Sequence, residues 1–512
     1  MKGCKKNLVY ALVFAGILSF SNPAVSAISD TGSHWAAARI YKWVNNGIIN
    51  GYPDGTFRPD STITRAEFAS MISKLFKYTD TTAADFSDVS QTAWYSETVA
   101  KAYNAGIIEG FNGKFNPDSK ITRQEAAIIL AKAFELEPQK DNSSDYFNDS
   151  GKISSWSKDY INVIVSNGYM SGRPGNVLAP ADNITRAEAV TLIDKISGEY
   201  INNRGEYTRD ISGNLVVSSS DVTLKNMTIA GDLILAQGIG DGRITLDGVH
   251  VKGRTVVLGG GEDRVIINDS VLAGTLTVKK KNGKVGIVAR GTTSASDVKL
   301  KSGVTLAEAG NGTGFNTVEI VSEDKKNISL EGNFNQVSIK GSHVDLSILD
   351  GIINGMAVLQ NVQDIHIRLE ETAEITTLQT DAAAVFAGTG TIMIANITAN
   401  KVAFESPPGA INLAEGVSAT AAGQRISVST DLPAGSGVSG SMDIASSTAA
   451  VEVGRTLQMK AEVSPSGAAP KTVVWSVAKG TGSATISSNG LLTATGTGTV
   501  TVIAVSEVSS AN

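Results

Sequence analysis

Ile63-Thr64-Arg65-Ala66-Glu67 stands at the start of an apolar run with helical spacing, and the chain repeats it as Ile121-Thr122-Arg123-Gln124-Glu125 and Ile184-Thr185-Arg186-Ala187-Glu188. A threonine followed three residues later by a glutamate is typical of a capping box, in which both side chains bind main-chain N–H groups of the first helical turn. An arginine at the first helical position opposes the helix dipole, at a cost of up to about 1 kcal/mol. We therefore expect an anion beside each arginine. The predicted structural caps are Thr64, Glu67, Thr122, Glu125, Thr185 and Glu188.

Other residues repeat together with these segments. In every copy a tryptophan precedes a glycine by twelve positions, a second glycine follows four positions later, and an aspartate lies upstream of the tryptophan. Pro53-Asp54-Gly55 in the first copy predicts a tight turn. Each unit is therefore predicted to consist of a helix, a turn-rich loop and a capped helix. The repeated residues are Asp30, Trp35 and Gly47, then Asp88, Trp94 and Gly106, then Asp149, Trp156 and Gly168.

The strings His34-Trp35-Ala36, Gly47 to Pro59 and Ile63 to Glu67 resemble the S-layer homology (SLH) repeat, and the resemblance covers about residues 28–205. It implies an α-helical pseudo-trimer of repeats at 28–84, 85–145 and 146–205. In that family the grooves between repeats bind a secondary polysaccharide attached to peptidoglycan, which often carries an acidic pyruvyl ketal. The resemblance implies that Arg65, Arg123 and Arg186 contact this anion, and that the nine repeated Asp, Trp and Gly residues line the grooves.

The copies are not identical, which predicts unequal grooves. The third copy reads Arg173-Pro174-Gly175-Asn176-Val177 in place of the Gly-Tyr-Pro-Asp-Gly string, so its groove is expected to depart most from the family pattern. A tryptophan also fills a core more often than it forms a sugar platform, so core packing is the alternative for the three tryptophans. Residues 28–205 contain 18 Lys and Arg against 21 Asp and Glu. Recognition of an acidic glycan would therefore be local, through arginine forks and helix N-termini.

The first 27 residues are predicted to be a signal peptide. A positive segment, Met1 to Lys6, precedes an apolar run from Leu8 to Phe20 and the small-residue site Val25-Ser26-Ala27, which is typical of a secreted protein. That apolar run is too short to span a membrane, and no later stretch is long enough. The one cysteine, Cys4, lies in this segment. The mature chain is therefore predicted to have no disulfide, no thiolate site, no metal site and no cofactor.

From about residue 206 the sequence changes to short β runs separated by Gly, Asn and Asp. Val222-Thr223-Leu224, Ile244-Thr245-Leu246 and Val265-Ile266-Ile267 begin successive units of 22 and 21 residues. Three short strands in each unit of this length indicate a β-solenoid. We predict a parallel β-helix over residues 206–405. An irregular antiparallel β domain is the alternative.

A β-helix raises the possibility of a wall-tethered polysaccharide lyase or hydrolase. Such an enzyme needs paired carboxylates, or a calcium site with a basic residue, on one sheet face. The candidates lie mostly at predicted turns, and the four histidines are scattered along the chain. These candidates are Asp241, Asp247, Asp263, Asp269, Arg243, Arg254 and Arg264. We therefore predict no catalytic residues. A glycan-binding adhesin is a second alternative, although the segment has few aromatic residues and no tryptophan for stacking on sugars.

The C-terminal part has a different β pattern. Residues 406–440 are rich in Ala, Gly and Ser and are predicted to be a linker. Beyond them, the strand around Trp475 and the predicted hairpin at Asn489-Gly490 resemble a bacterial Ig-like domain of group 2, over residues 441–512. That family implies a β-sandwich. Its closing strand is not evident after Ser506. Two alternatives follow: the sequence is a fragment, or the last strand comes from elsewhere.

Together these patterns predict a secreted, non-enzymatic protein of the bacterial cell wall or S-layer. The helical repeats would bind the wall polysaccharide and display the solenoid and the Ig-like domain. The chain has a net charge of -6 and a pI of about 5.5, which argues against nucleic-acid binding. Self-assembly into a layer is left open by the sequence.

Overall fold

The structure is a computed structural model that describes residues 28–507, with gaps at 83, 85, 263, 311–313, 322–325, 428–440, 445–452, 460, 465–471, 480–481 and 488. The predicted signal peptide lies outside the described residues. The chain divides into two compact units on either side of Ile196 and Ser197. Each unit is described by itself.

The first unit is helical, as predicted, and each repeat contributes two helices. The first helix of repeat one is amphipathic and buries Ile40 and Trp43, whereas the capped second helix is buried along most of its length. The helices are α1 (Ala37–Asn45), α2 (Arg65–Phe76), α3 (Ser96–Asn104), α4 (Arg123–Ala133), α5 (Lys158–Ser166) and α6 (Arg186–Ser197), with a 3-10 helix at Ser150–Lys152.

A charged contact joins the first and last helices of this unit. Asp194 of α6 accepts hydrogen bonds from Arg39 Nε (3.1 Å), Lys42 Nζ (2.9 Å) and Trp43 Nε1 (3.0 Å), all on α1. The carboxylate is four-fifths buried and has three donors, which satisfies the requirement that a buried charge be paired. Repeats one and three, which are not consecutive in the chain, are therefore held together directly.

The second unit begins with a parallel β-solenoid of about eleven turns. It has two sheets, here called sheet 1, which contains the strand Val222–Lys225, and sheet 2, which contains the strand Leu215–Val217. Strands pair in parallel in both sheets, except at the last strand of sheet 1. Within a strand, side chains alternate between the interior and the surface. In the strand Val222–Lys225, for example, Val222 and Leu224 are buried while Thr223 and Lys225 are half-buried. This alternation follows from the period of two in β structure. The pairing excludes the antiparallel alternative.

The strands of the solenoid run in chain order as follows: β1 (Glu199–Ile201), β2 (Gly205–Tyr207), β3 (Leu215–Val217), β4 (Val222–Lys225), β5 (Thr228–Ile229), β6 (Leu233–Leu235), β7 (Ile244–Asp247), β8 (His250–Val251), β9 (Thr255–Val257), β10 (Val265–Asn268), β11 (Val271–Leu272), β12 (Leu276–Val278), β13 (Val285–Gly291), β14 (Ser294–Leu300), β15 (Val304–Gly310), β16 (Gly314–Ile320), β17 (Lys326–Glu331), β18 (Phe334–Ile339), β19 (Val344–Val358), β20 (Ile365–Leu369), β21 (Ala373–Thr380), β22 (Val385–Gly388), β23 (Thr391–Ile397), β24 (Val402–Phe404), β25 (Ala410–Leu413), β26 (Ser418–Ala421) and β27 (Gln424–Ser427).

The number of strands per turn changes along the solenoid. Val222, Ile244 and Val265 stack in one column of sheet 1, as the repeat predicts. In these turns sheet 2 receives two short strands, so the prediction of three strands per turn is confirmed there. From β14 onwards the two short strands become one, because β14 pairs with both β11 and β12. Strand β19 then contributes to both sheets.

The solenoid extends beyond the predicted range of 206–405 at both ends. Strand β1 pairs in parallel with β3 before residue 206, and β25 pairs in parallel with β23 after residue 405. The terminal strands have three or four residues, which gives a weak sequence signal. Strand β27 pairs antiparallel with β26 and is the last strand of sheet 1. Part of the predicted linker is therefore solenoid, and residues 428–440 lie outside the described residues.

The C-terminal segment consists of antiparallel strand pairs. The strands are β28 (Ser441–Ile444), β29 (Thr456–Gln458), β30 (Ala461–Ser464), β31 (Thr472–Lys479), β32 (Ser483–Ile486), β33 (Leu491–Gly496) and β34 (Val500–Glu507). The predicted hairpin is confirmed, because β32 and β33 pair around Asn489 and Gly490, and Gly490 has a positive φ of 81°. Further pairs join β28 to β30, β29 to β33 and β31 to β34.

Candidate functional site

The three Ile-Thr-Arg segments meet in a closed ring of main-chain hydrogen bonds. The N–H of Ile63 donates to the carbonyl of Ile184 (3.1 Å), that of Ile184 donates to Ile121 (3.0 Å), and that of Ile121 donates to Ile63 (3.1 Å). All three isoleucine side chains are fully buried. The ring therefore places the helix N-termini of all three repeats around one axis.

The predicted capping boxes are present at all three N-termini. In α2, the Thr64 hydroxyl accepts from the Glu67 N–H (3.1 Å) while the Glu67 carboxylate accepts from the Thr64 N–H (2.8 Å). The same reciprocal bonds join the pairs at the start of α4 and α6, namely Thr122 with Glu125 and Thr185 with Glu188.

Each arginine of the motif binds the capping glutamate of another repeat. Arg65 lies 2.7 Å from Glu125, Arg123 lies 3.2 Å from Glu188, and Arg186 lies 3.6 Å from Glu67. The three pairs form a cycle around the axis, here called the Arg–Glu ring. The anion expected beside each arginine is thus supplied by the protein itself, so the motif alone does not require an external anion. Sequence spacing could not reveal this, since the partners are about 60 or more residues apart.

Main-chain carbonyls hold the same guanidinium groups. The Nε atoms of Arg65, Arg123 and Arg186 donate to the carbonyls of Phe115, Leu178 and Phe57, at 2.8 to 3.0 Å. Arg123 and Arg186 each donate from Nη2 to one more carbonyl, of Ser171 and Asn50. Among the described residues, Nη2 of Arg65 has no such partner. Exposure differs accordingly, at 16% for the Arg65 side chain against 5% for Arg123 and 6% for Arg186.

The three predicted aspartates hold the turn segments. Asp30 accepts hydrogen bonds from the N–H groups of Phe57 and Arg58, each at 2.7 Å. The residue in the place of Arg58 has a positive φ in every repeat, between 53° and 57°. Both N–H groups converge on the carboxylate in this conformation, so these aspartates have a structural role that the motif did not predict. The same bonds run from Phe115 and Asn116 to Asp88, and from Leu178 and Ala179 to Asp149.

Because of these three aspartates, the helical unit is expected to lose stability in acid. Partial desolvation raises the pKa of Asp30, but the two main-chain hydrogen bonds outweigh it, so the pKa lies below the ordinary value; Asp88 and Asp149 behave alike. A depressed folded-state pKa contributes stability that is present above the unfolded pKa of about 4 and is lost as the pH falls through the folded value. We expect the free energy of unfolding to fall below about pH 4, as measured by urea titration. A variant with all three replaced by asparagine should show a flatter pH dependence, and an unchanged slope would contradict the assignment.

The predicted glycines end helices. Gly47, Gly106 and Gly168 have φ values of 72°, 73° and 71°, and each follows the C-cap residue of its helix, α1, α3 or α5. A residue in the left-handed region commonly terminates a helix, and glycine adopts it without a steric penalty. Their repetition is explained by this backbone requirement, and a role in lining a groove stays a prediction.

The three predicted tryptophans are surface residues. Trp35, Trp94 and Trp156 are 60%, 64% and 57% exposed, so the core alternative is wrong for all of them. The buried tryptophan of the unit is Trp43, which lies outside the repeated set. The described residues leave these three rings mostly uncovered, and a role as sugar platforms stays a prediction.

One groove brings an arginine and a tryptophan of the predicted set together. This feature, here called the Arg65 groove, has a volume of about 800 Å³ and is lined by all three repeats. Repeat one contributes Arg65, repeat two contributes its loop and α4, and repeat three contributes Trp156 and Tyr160. Its charged residues are four cations and two anions, namely Arg65, Lys114, Lys120 and Lys132 with Glu109 and Glu125. The groove therefore carries a net positive charge in a region whose overall charge is slightly negative.

Three of the solenoid candidates bond to neighbouring side chains, and a fourth, Asp263, lies outside the described residues. Asp241 binds Lys280 (2.6 Å), Arg254 binds Asp232 (2.6 Å), and Asp247 accepts from Asn268 (2.7 Å). None of these three bonds joins two of the candidates.

The solenoid also brings two histidines together that the sequence analysis treated as scattered. His343 lies 3.0 Å from Asp364, and His366 lies 3.5 Å from Asp364 and 3.6 Å from Asp345. The stacking of β19 on β20 creates this cluster, because a period of about 20 residues superposes positions that are distant in sequence. Within the described part of the chain, no group of three or more His, Cys, Asp or Glu residues is arranged to hold a metal ion. The helices described here include none that is long and apolar enough to cross a membrane.

Comparison with known proteins identifies the domains. The S-layer homology domain model matches residues 27–69, 85–127 and 146–190, and the model of the bacterial Ig-like domain (group 2) matches residues 440–511. The chain thus carries three SLH domains followed, after the solenoid, by a group 2 Ig-like domain. These domains and the S-layer proteins among the relatives indicate a location at the bacterial cell surface.

Relatives share the SLH region in different contexts. The amylopullulanase of Thermoanaerobacterium thermosulfurigenes is 36% identical over 32% of this chain and 9% of that protein. The Surface-layer 125 kDa protein of Lysinibacillus sphaericus is 33% identical over 36% of this chain and 16% of that protein. The Cellulosome-anchoring protein of Acetivibrio thermocellus is 31% identical over 29% of this chain and 35% of that protein. The chain therefore spans little more than a third, at most, of these three relatives, and the enzyme is matched only in the SLH region.

Proposed function

We propose that the SLH unit anchors this protein noncovalently to the bacterial cell wall by binding an acidic secondary polysaccharide in the Arg65 groove. The support for wall attachment is the SLH domains themselves, which occur in a protein named for anchoring and in surface-layer proteins. A pyruvylated polysaccharide is the ligand we propose, because its ketal carries a carboxylate.

A single observation carries the proposal. Arg65 lines an open groove, and its Nη2 atom has no partner among the described residues although its other nitrogens are bound. An arginine fixed at Nε and Nη1 but unoccupied at Nη2 is held ready to bind a carboxylate without losing further side-chain entropy. Lys114 and Lys120 lie exposed on the same groove and would strengthen attraction of an anionic polymer.

Trp156 supplies the second element of a sugar site. Its ring is mostly exposed and lines the same groove as Arg65, together with Tyr160. Aromatic rings offer an apolar face to the C–H groups of a sugar, while charged side chains select the acidic substituent. We propose that a pyruvylated sugar rests on Trp156 with its carboxylate toward Arg65.

The remaining domains are proposed to be displayed and not catalytic. Among the described residues, the candidate acidic residues Asp241 and Asp247 bond to Lys280 and Asn268 and not to each other. The similarity to an enzyme is confined to the SLH region. We therefore propose a non-enzymatic surface protein whose solenoid and Ig-like domain are held at the wall.

The test is binding of the chain to purified peptidoglycan sacculi, before and after acid extraction of the secondary polymer. Reversing two groove charges, with Lys114→Glu and Lys120→Glu together, should weaken binding at least tenfold, because each change replaces an attraction for the polymer by a repulsion. Extraction of the polymer should abolish binding by the unmodified protein.

A double variant with the same change in charge provides the control. Lys140 and Lys152 are exposed, belong to the same unit and lie outside the groove. Replacing both with glutamate should leave binding within twofold of the parent. Equal losses in the two double variants would mean that only net charge matters, and binding that survives extraction would reject the polysaccharide as the ligand.

A further inference from the structure

The position that follows the second glycine of each repeat differs in chemistry between repeats. It is Tyr52 in the first repeat, Phe111 in the second and Arg173 in the third. Each lies at the start of the turn-rich loop of its repeat. Tyr52 and Arg173 bind the glutamate of their own capping box, whereas Phe111 is exposed. We call this position the cover residue, because it lies beside a pair of the Arg–Glu ring in each repeat.

In the third repeat the cover residue is an arginine that binds the capping glutamate. Arg173 donates from Nε and Nη2 to Glu188, at 2.9 to 3.1 Å, and from Nη1 to Asp182 at 2.7 Å. The carboxylate of Glu188 therefore has two guanidinium partners, Arg173 and Arg123. Arg123 beneath it is 5% exposed, and its burial lowers its pKa. A ligand anion would have to displace a bidentate ion pair to reach Arg123.

In the first repeat the cover residue is an aromatic ring that lies over the arginine. The hydroxyl of Tyr52 donates to Glu67 (3.3 Å), and its ring centroid lies 4.9 Å from the guanidinium carbon of Arg186. The guanidinium carbon of Arg58 lies 4.1 Å from the centroid of the same Tyr52 ring. Arg186 is 6% exposed and also contacts the Phe57 ring at 4.5 Å, but Arg65 makes the equivalent contact with the Phe115 ring at 5.0 Å. The Tyr52 ring is therefore the contact that distinguishes the covering of Arg186 from that of Arg65.

The second repeat lacks such a cover. Phe111 has no polar group to bind Glu125, and its side chain is 77% exposed at the edge of the Arg65 groove. Among the described residues, Nη2 of Arg65 has no hydrogen-bond partner, and Arg65 has the largest exposure of the three motif arginines. The open groove thus coincides with the one repeat whose cover residue makes no bond to its capping glutamate.

We propose that the cover residue decides whether each SLH groove is open, and that Arg173 and Tyr52 close two of the three grooves with the protein's own groups. The unit then presents one arginine, Arg65, to an anionic ligand. That Arg65 receives the wall polysaccharide rests on the proposed function above, whereas the opening and closing of the grooves does not depend on the ligand.

Two substitutions at the cover position test this in opposite directions. Phe111→Arg introduces a guanidinium where the third repeat has one, and it should pair with Glu125 and close the groove. Arg173→Phe removes the cover from Glu188 and should open the groove above Arg123. Far-UV circular dichroism and urea unfolding of the full chain establish that both variants are folded.

The first measurement needs no ligand. Phenylglyoxal modifies accessible guanidinium groups, and peptide mass spectrometry gives the rate at each arginine. In the parent protein Arg65 should react at least fivefold faster than Arg123 or Arg186. Phe111→Arg should slow the reaction of Arg65 by about fivefold or more, and Arg173→Phe should speed that of Arg123 by a similar factor. Unchanged rates at both sites in folded variants would overturn the proposal.

The second measurement is calorimetric binding of soluble polysaccharide released from the wall. Phe111→Arg adds a positive charge to the groove, yet it should weaken binding at least tenfold, which is opposite in sign to the effect of charge alone. Binding that is unchanged or tighter would overturn the cover proposal. If the phenylglyoxal rates follow the prediction but the parent protein does not bind the polymer, the proposed wall ligand fails while the role of the cover residue stands.

Discussion

Replacing Arg123 with alanine is expected to lower the free energy of unfolding of the SLH unit by about 3 kcal/mol, because breaking a buried ion pair typically costs that much or more. The side chain is 5% exposed and donates to Glu188 and to the carbonyls of Leu178 and Ser171. Removing it leaves both carbonyls without this donor. Urea unfolding followed by tryptophan fluorescence measures the effect, since four of the five tryptophans lie in this unit.

The matched substitution is Arg65→Ala. Arg65 has the same place in the ring but is more exposed and makes fewer bonds, so we expect a loss of about 1 kcal/mol. A larger loss at Arg65 than at Arg123 would show that exposure does not rank the members of the Arg–Glu ring. The comparison also bears on binding experiments, because a fall in binding after Arg123→Ala would reflect loss of structure and not loss of a ligand contact.

Replacing Gly351 with alanine is expected to destabilise the solenoid by about 4 kcal/mol. Gly351 has a φ of 83°, and an added Cβ would lie 2.0 Å from the main-chain oxygen of Gly332 in the preceding turn. Overpacking against main chain costs about 1–3 kcal/mol, and the left-handed conformation adds about 1–2 kcal/mol for a residue with a Cβ. Hydrogen exchange of β19, and of β18, which follows Gly332 in the chain, should become faster.

Gly416→Ala separates the two causes. Gly416 has a φ of 72°, but no atom lies within 4 Å of the position that an added Cβ would take. Its replacement should cost only the conformational term, about 1 kcal/mol. Equal losses of stability at Gly351 and Gly416 would show that neighbouring turns of the solenoid can move apart at little cost, so that stacking does not fix the distance between them.

The SLH sequence predicts its local structure well because the signals are local. Thr64 and Glu67 are three residues apart, and the capping box needs nothing beyond that spacing. The arginines were predicted to bind a ligand because no anion stands near them in the sequence. The structure shows that Arg65 is paired with the carboxylate of Glu125, which is 60 positions away. No spacing rule contains this information, because it depends on how three repeats close around an axis.

Residues that recur together in the three repeats do so for different physical reasons. Asp30 recurs because it binds two N–H groups of a turn, and Gly47 recurs because it ends a helix. Repetition alone cannot separate a structural requirement from a ligand contact. The exposed tryptophans are the informative members of the set, since no packing requirement explains an indole such as Trp94 that is 64% exposed.

The solenoid was predictable where its repeat is regular. Ile244 and Val265 fall in one column because two consecutive units have nearly the same length. Beyond Val285 the turns vary in length, so the sequence still shows β texture but not which residues stack. The neighbouring positions of His366 and Asp345 are a product of that stacking and could not be inferred from the period.

The closed ring of Ile63, Ile121 and Ile184 also distinguishes the two units under mechanical load. Every repeat of the ring donates to one neighbour and accepts from the other, so no repeat is terminal and none can be pulled away without opening bonds in both remaining repeats. The solenoid is instead a linear stack of turns, and among its described strands β1 pairs only with β3 and β27 only with β26. Under tension the solenoid is expected to lengthen in small successive steps, whereas the ring should hold until it yields in a single one.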